Sequence, residues 1–447
     1  MIYLSNKAKS ASGFIFRHLY KIALKRAHDN KKIYFERKFN YAIKMYEKKQ
    51  KEGIISLSDT FDELNLGSEN FSKDFINQLL LLASKNSSLI LPSETDVITF
   101  LQETTKINHR NIQPYELLLL NYILISHGLF RAGYIIREKA IDSAFINSSS
   151  SSSNLKYLQA ALTASFDNHD IVKSNELIQI TSNLCSEEEL NDYIFYNNML
   201  KYSSPSSLIL PLHKFEKQDY EYLELIKGRS VAVAGPAQAV CNNVNEINSH
   251  DIVVQMNYYG NEESPDKQQY VRADISYYNK QIGQIIDARS RDDFLYELCF
   301  SSFKTINHRT QNDLLSSNRG RLFFQMNSLL FNGRANILQN ALFDLLNFNP
   351  KSINLYNVNF FLSQNAYQKG YQQEKYQNRP PCWRWRSFAG HDIMTQINFT
   401  RSLWRAGKIA IDEPCKSVLE LDSFSYMAKM EGIWVNSAVT NFINSRS

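Results

Sequence analysis

The spacing of apolar and polar positions changes character once along this chain. From about Gly53 to Ser204 the apolar residues cluster inside long segments, at Leu79 to Leu82, Leu117 to Leu120 and Ile123-Leu124-Ile125. Strand alternation is missing there, which predicts helices. Asn121 to Ile141 and Leu155 to Ile180 each read as two helices joined by a polar turn. The turns fall near Ser126-His127-Gly128 and Asp167-Asn168-His169-Asp170. Their offset of about 40 residues suggests helical-hairpin repeats of the tetratricopeptide kind. Ser148 to Ser153 reads as a low-complexity loop between them. Such an array either binds a protein partner or a neighbouring domain, or forms a plain helical subdomain.

After Pro205, Pro211 and the charged stretch Lys214 to Glu224 the period shortens. Val231-Ala232-Val233-Ala234 is a buried strand in pattern, stopped by Gly235-Pro236, and Ile252-Val253-Val254 is a second. Ile275 to Tyr278 and Ile353 to Tyr356 follow, with a helix expected over Ala335 to Phe348. Strands alternating with helices predict an α/β fold. We expect a Rossmann-like, mostly parallel sheet that binds ligands at the carboxyl ends of its strands, preceded by an all-α helical domain. The expected divisions are residues 1–52, 53–205 and 206–447. The dinucleotide fingerprint G-x-G-x-x-G is absent, since Gly235 stands alone.

Charge changes the picture at one end only. The chain has 447 residues and a net charge of +5, but residues 1–52 hold 14 Lys and Arg against 4 Asp and Glu. That segment carries +10 and the remainder −5. Ile15, Leu19 and Ile22 recur at helical spacing with Lys21, Lys25 and Arg26 between them, the pattern of a basic amphipathic helix. It either docks on an anionic membrane surface, at about 1 kcal/mol per basic residue, or packs on the rest of the protein. No nucleic-acid-binding motif accompanies the charge, so nucleic acid is not an expected partner. The five cysteines are scattered, odd in number and without metal spacing, which suits free thiols in a reducing cytoplasm. No run approaches eighteen apolar residues and the N-terminus lacks an apolar signal core. The expected location is therefore cytoplasmic, with the inner face of the membrane as a peripheral site.

Three stretches together resemble the motifs of the sialyltransferases. Val231 to Ala237, then Ile247-Asn248-Ser249-His250-Asp251-Ile252-Val253-Val254-Gln255-Met256-Asn257, is similar to the family's large motif. Pro236 and Gln255 stand where that motif has Asn and Arg. Ala341 to Leu346 followed by Ile353-Asn354-Leu355-Tyr356 resembles the small motif, with Asn332-Gly333-Arg334-Ala335-Asn336 in place of its Ser-Thr-Gly turn. Gly390-His391-Asp392-Ile393-Met394-Thr395-Gln396, then Leu403 and Lys408-Ile409, resembles the very small motif, with Gln396 in place of Glu. These matches lie between residues 230 and 411 and leave the first 205 residues untouched.

The resemblance implies transfer of a 2-keto sugar acid (sialic acid, another nonulosonic acid or Kdo) from its CMP conjugate to a glycan or lipid-linked glycan. Such an enzyme would serve bacterial capsule or lipopolysaccharide synthesis. It implies donor-nucleotide contacts from Gly235, Pro236, Ala237, Gln238 and Asn257, and anion binding by Arg334, Ala335 and Asn336 at a helix start. It makes His391 the general base, since an imidazole titrating near neutrality can take the acceptor hydroxyl's proton. No metal or other cofactor is expected, because no paired carboxylates follow a strand and CMP carries one phosphate. Arg384, Trp385 and Arg386 either grip a carboxylated sugar or form a Trp-anchored surface loop. His250 reads as structural. Inversion needs only His391. Retention would need a nucleophile, for which Asp274, before the Ile275 strand, is the candidate, its other role being a strand-end cap. A degenerate transferase domain acting as a scaffold is the non-enzymatic alternative.

Overall fold

The computed structural model describes scattered positions between 37 and 48 and residues 71–150, 154–203, 215–237, 243–258, 271–279, 298–303, 320–363 and 380–444. The basic segment 1–52 therefore lies almost wholly outside the described residues, as does Gln238. Two compact units divide the chain, Met1–Ile112 and Gln113–Ser447. In the first, helices α1 (Lys73–Ser87) and α2 (Glu94–Lys106) start at Ser72 and Ser93, whose hydroxyls accept the free N–H groups of the first turn. Phe75 stacks on Phe100 with centroids 5.2 Å apart, and Lys85 pairs with Asp96 at 2.8 Å.

The second unit opens with helices α3 (Pro114–Ser126), α4 (Phe130–Ser150), α5 (Leu155–Asp167), α6 (Ile171–Thr181) and α7 (Glu187–Leu200). The two polar turns expected near 127 and 168 separate α3 from α4 and α5 from α6. Of the stretch expected as a loop, Ser148 to Ser150 are helical, the end of α4, and residues 151–153 lie outside the described residues. Ser148, Ser149 and Ser150 turn their hydroxyls back onto the carbonyls of Phe145 and Ile146, which lets a serine run stay helical. The charged stretch read as a linker contains helix α8 (Lys217–Ile226), with Asp219, Tyr222, Leu223 and Ile226 forming its buried face.

Strands β1 (Ser230–Ala234), β2 (Ile252–Met256), β3 (Ile275–Tyr278), β4 (Phe300–Phe303), β5 (Gly320–Leu322), β6 (Ser352–Tyr356) and β7 (Ala410–Ile411) follow. Among the described residues they make one all-parallel sheet in the order β5-β4-β3-β2-β1-β6-β7. Val231, Val233, Ile252, Val254, Ile275, Ile353 and Leu355 are buried, the near-continuous apolar pattern of strands covered on both faces. The chain leaves β1 toward β2 and leaves β6 toward β7 in opposite directions, so the strand order reverses between these two neighbours. Short helix α9 (Val244–Asn248) covers one face, where Tyr356 donates to Glu246 at 2.9 Å. Helices α8 and α10 (Ile337–Leu346) cover the other. Into that second face the sheet projects Tyr277, whose hydroxyl reaches Tyr222 of α8 and Asp344 of α10. Arg321, 1% exposed, forks both oxygens of Asp344 and also pairs with Asp219 at 2.7 Å. Its guanidinium lies 4.3 Å from the Tyr222 ring centroid and 4.7 Å from that of Phe348. A buried Arg is tolerated there because its charge is paired and its flat faces are stacked.

Helices α11 (Pro381–His391) and α12 (Ile393–Arg405) lie in the crossover from β6 to β7, and α13 (Glu413–Leu419), α14 (Ser423–Glu431), a π-helical turn (Gly432–Ser437) and α15 (Ala438–Asn444) end the described chain. The sequence put a domain boundary near 206, whereas α3 to α7 belong to the same compact unit as the sheet. They pack on its helices through residues far apart in sequence. Tyr196 of α7 stacks on Phe399 of α12 at 5.9 Å, Phe195 meets Phe343 of α10, and Arg131 of α4 pairs with Glu431 of α14 at 2.7 Å.

Candidate functional site

Helices α10 and α12 each run into the amino end of the next strand, β6 and β7, so their starts lie toward the carboxyl edge of the sheet. Their first turns are adjacent. Gly333 has φ +74°, and a Cβ there would lie 2.6 Å from the carbonyl carbon and oxygen of His391, so the turn before α10 rests directly on the end of α11. His391 is the last residue of α11 and Asp392, at φ 44°, turns the chain into α12.

Gln396 ties the two turns together. Its amide Nε2 donates to the carbonyl oxygens of His391 at 2.6 Å and Arg334 at 3.1 Å, while its Oε1 accepts the N–H of Asn336 at 2.8 Å. An amide has both the donors and the acceptor this bridge uses, and a carboxylate has only acceptors. The Arg334 carbonyl also lies 3.0 Å from Nδ1 of His391. A carbonyl oxygen can only accept, so Nδ1 carries a proton, and Nε2 is the nitrogen that can act as a base when the ring is neutral. The arrangement is an imidazole at the carboxyl end of α11 beside the starts of α10 and α12, where the N–H groups of Asn336 and Thr395 are taken by Gln396 and Asp392. The N–H of Ala335 is taken by Asn327 at 3.0 Å.

Asp392 is 5% exposed, and both its oxygens face the guanidinium Nε of Arg137, at 3.0 and 3.2 Å. Arg137 comes from α4 and is fully buried. Its Nη2 donates to Asp167 of α5 at 2.8 Å and to the Thr395 hydroxyl at 2.8 Å, and Asn398 holds the other Asp167 oxygen at 2.9 Å. The two aspartates hold the guanidinium's pKa above its usual value even though burial alone would lower it. Farther along, Lys408 is buried at the entry to β7, donating to the Ser203 carbonyl at 2.9 Å and to its hydroxyl. Burial lowers its pKa to about 8.

The loop after β1 also reaches the carboxyl edge, but its groups are spent on the loop after β6. Gly235 and Ala237 donate their N–H groups to Tyr356 and Asn357. A Cβ on Gly235 would lie 2.4 Å from Val358 Cγ2 and 2.5 Å from the Asn357 carbonyl oxygen, so close approach of the two loops explains this glycine. Asn257, buried and at φ 52°, accepts the Asn279 N–H at 3.2 Å and shapes the turn after β2.

Asp274 is not brought to His391. It sits at the amino end of β3, level with the middle of β1, roughly 10 Å along the strands from Gly235 at about 3.3 Å per residue. One of its oxygens accepts the Val253 N–H at 2.7 Å and the Arg272 guanidinium at 3.0 Å. Arg272 in turn clamps the carbonyls of Asn248, His250 and Asp251. The carboxylate caps a strand and orders the entry to β2, the second of the two roles its sequence position left open. Trp385 departs from the sequence reading. It is 1% exposed and donates its indole N–H to the Trp434 carbonyl at 2.7 Å, so it anchors α11 in the core and cannot cover a sugar face. Arg386 is exposed. Arg384 lies seven residues before His391 on the same helix face, its guanidinium 5.6 Å from the Trp383 ring and 5.8 Å from that of Trp434.

A cavity of about 280 Å³ opens on the α9 face of the sheet, lined by Asn243, Glu246, Asn354, Tyr356, Asp412 and Glu413 among others. Burial raises the pKa of Asp412 and pushes Tyr356 up to about 12. Among the described residues its lining holds no lysine or arginine. Among the described residues, no helix is long and apolar enough to cross a membrane. Comparison with protein-family models, curated proteins and solved structures finds no match to the chain.

Sequence reasoning singled out the Arg334 turn and His391 but missed what joins and holds them. Gln396 was visible at a motif position, yet its role depends on a turn 60 residues upstream. Arg137 carried no signal, since its partners lie 30, 255 and 258 residues away.

Proposed function

We propose that the protein is a glycosyltransferase that moves a 2-keto sugar acid from its CMP conjugate to a hydroxyl of a glycan or lipid-linked glycan, with His391 as general base. The observation that carries this reading is the union of the Arg334–Asn336 turn with His391 through Gln396. It joins two stretches that resemble sialyltransferase motifs, at the edge where a parallel sheet binds ligands. Nε2 of His391 takes the proton of the acceptor hydroxyl as its oxygen attacks the anomeric carbon. The bond to CMP breaks and its electron pair leaves with the phosphate. Arg334, exposed in the turn before α10, supplies positive charge for the donor's phosphate and carboxylate. Arg384 is the second cation on the His391 face. Transfer by single displacement inverts configuration and requires no second carboxylate.

The experiment is incubation of the protein with CMP-sialic acid, CMP-Kdo and UDP-sugars, following nucleotide release with and without glycan acceptors. CMP release from one CMP-sugar, lowered about a hundredfold or more by His391→Ala with donor binding retained, is the expected result. Absence of release from every CMP-sugar, or full activity of the His391→Ala protein, overturns the reading.

A further inference from the structure

We infer that Arg137, on the helical layer outside the sheet, is a positioning residue for His391: it holds Asp392 in its left-handed turn and so fixes the imidazole that ends α11. The inference rests on His391 being the base of the proposed transfer. It gives residues 113–200 a role at the site, beyond packing.

The backbone of Asp392 supplies the first argument. A non-glycine residue at φ 44° is strained, and such a conformation persists only where its surroundings over-determine it. Asp392 ends one helix and starts the next, accepting the Thr395 N–H at 3.4 Å as a loose cap. That contact alone is weak. The guanidinium of Arg137 supplies what the cap lacks, meeting both carboxylate oxygens from Nε and the Thr395 hydroxyl from Nη2. One planar cation thereby fixes the side chain of Asp392 and the first turn of α12.

The second argument is the position of His391. Its carbonyl is held by Gln396 across the junction that Asp392 makes, and its Nδ1 meets the Arg334 carbonyl of the turn before α10. Rotation of Asp392 out of the left-handed region turns the His391–Asp392 peptide, moves that carbonyl off Gln396 and tilts the ring. A displacement of about 1 Å at a catalytic group can cost on the order of a hundredfold in rate.

Third, Arg137 is itself held rigidly. Asp167 of α5 takes its Nη2, and Asn398 of α12 takes the other oxygen of Asp167. The chain of contacts runs from α4 through α5 to α12, buried at Arg137, Asp167 and Asp392 and half-buried at Asn398. Its geometry is thus set by the packing of the helical layer.

The test is Arg137→Lys in the full chain, which keeps the charge and loses the fork. The 13C–1H signal of the His391 ring, assigned by its disappearance in His391→Gln, is read beside transfer kinetics. The expected result is a folded protein whose His391 signal moves or broadens, with turnover down about tenfold or more and donor KM within about twofold of wild type. Asp167→Asn, farther from the site, should move the same signal, and it carries the test if Arg137→Lys does not fold. Leu177→Ala, a core truncation on α6, lowers Tm without moving it. A His391 signal unchanged in folded Arg137→Lys, or moved equally by Leu177→Ala, overturns the inference. If wild type releases CMP from no CMP-sugar, the transferase reading fails by itself and the ring signal still decides whether Arg137 sets His391.

Discussion

Replacing Gln396 by Glu exchanges one NH2 group for an oxygen and so tests the bridge at the site directly. The side chain is 2% exposed, and its Nε2 faces the carbonyl oxygens of His391 and Arg334. The substitution removes two hydrogen bonds, each contributing about 0.5–1.5 kcal/mol. It also sets a desolvated carboxylate against two carbonyl oxygens, which raises the introduced group's pKa by about 2 units or more. At about 1.4 kcal/mol per unit, ionisation alone makes the variant less stable than wild type by ~3 kcal/mol at pH 7.5, and the lost hydrogen bonds add to that deficit. The sign of its pH dependence follows. A carboxyl whose folded pKa is raised binds a proton in the folded state before the unfolded one does, so the deficit shrinks as pH falls through the raised value toward about 4.3. Urea titrations of both proteins at pH 7.5 and 5 measure this difference directly. Equal stability at both values, or a deficit that grows on acidification, refutes the reasoning that Gln396 acts here as a donor. The result is informative because the sialyltransferase pattern has Glu at the matching place.

Two further outcomes are expected. His127 is buried, with Nδ1 2.9 Å from the Ile123 carbonyl, and burial lowers its pKa to about 4 from 6.5. Neutral His127 therefore supports the fold above pH 6.5, and acidification toward 4 withdraws up to about 3 kcal/mol. The urea-midpoint difference between wild type and His127→Gln should narrow over that window, whereas a constant difference refutes it. Asp274→Asn keeps an acceptor for the Val253 N–H and loses a partly exposed ion pair with Arg272, so it should cost less than about 1 kcal/mol and leave turnover near wild type. Near-complete loss of transfer by a folded variant would restore Asp274 to the chemistry.

Local signals explain which parts were readable in the sequence. Val231–Ala234, Ile252–Val254, Ile275–Tyr278 and Ile353–Tyr356 were legible because strands buried on both faces leave apolar runs that glycine, proline or polar residues stop. The turns at 127 and 168 were legible because Gly128 at φ 78° and His169 at φ 56° end their helices. The unit division was not, since Pro205 and Pro211 punctuate a chain whose long-range contacts cross them. Trp385 was misread because a Trp beside arginines has the same composition whether it lines a surface or anchors a helix. Asp274 showed its type but not its level in the sheet. Only strand register distinguishes a carboxylate at the amino end from one at the ligand edge.

The position of β1 in the strand order also constrains how the chain is made. β1 pairs with β2 soon after both emerge, but its other neighbour, β6, begins 118 residues after Ala234. At about 5–20 residues per second, synthesis takes roughly 6 to 24 s to cover that interval. Throughout it the sequence Val-Ala-Val-Ala stands as an open, apolar strand edge, the kind other chains pair with. The edge of β1 that β6 covers in the finished sheet is therefore open to other chains for that interval.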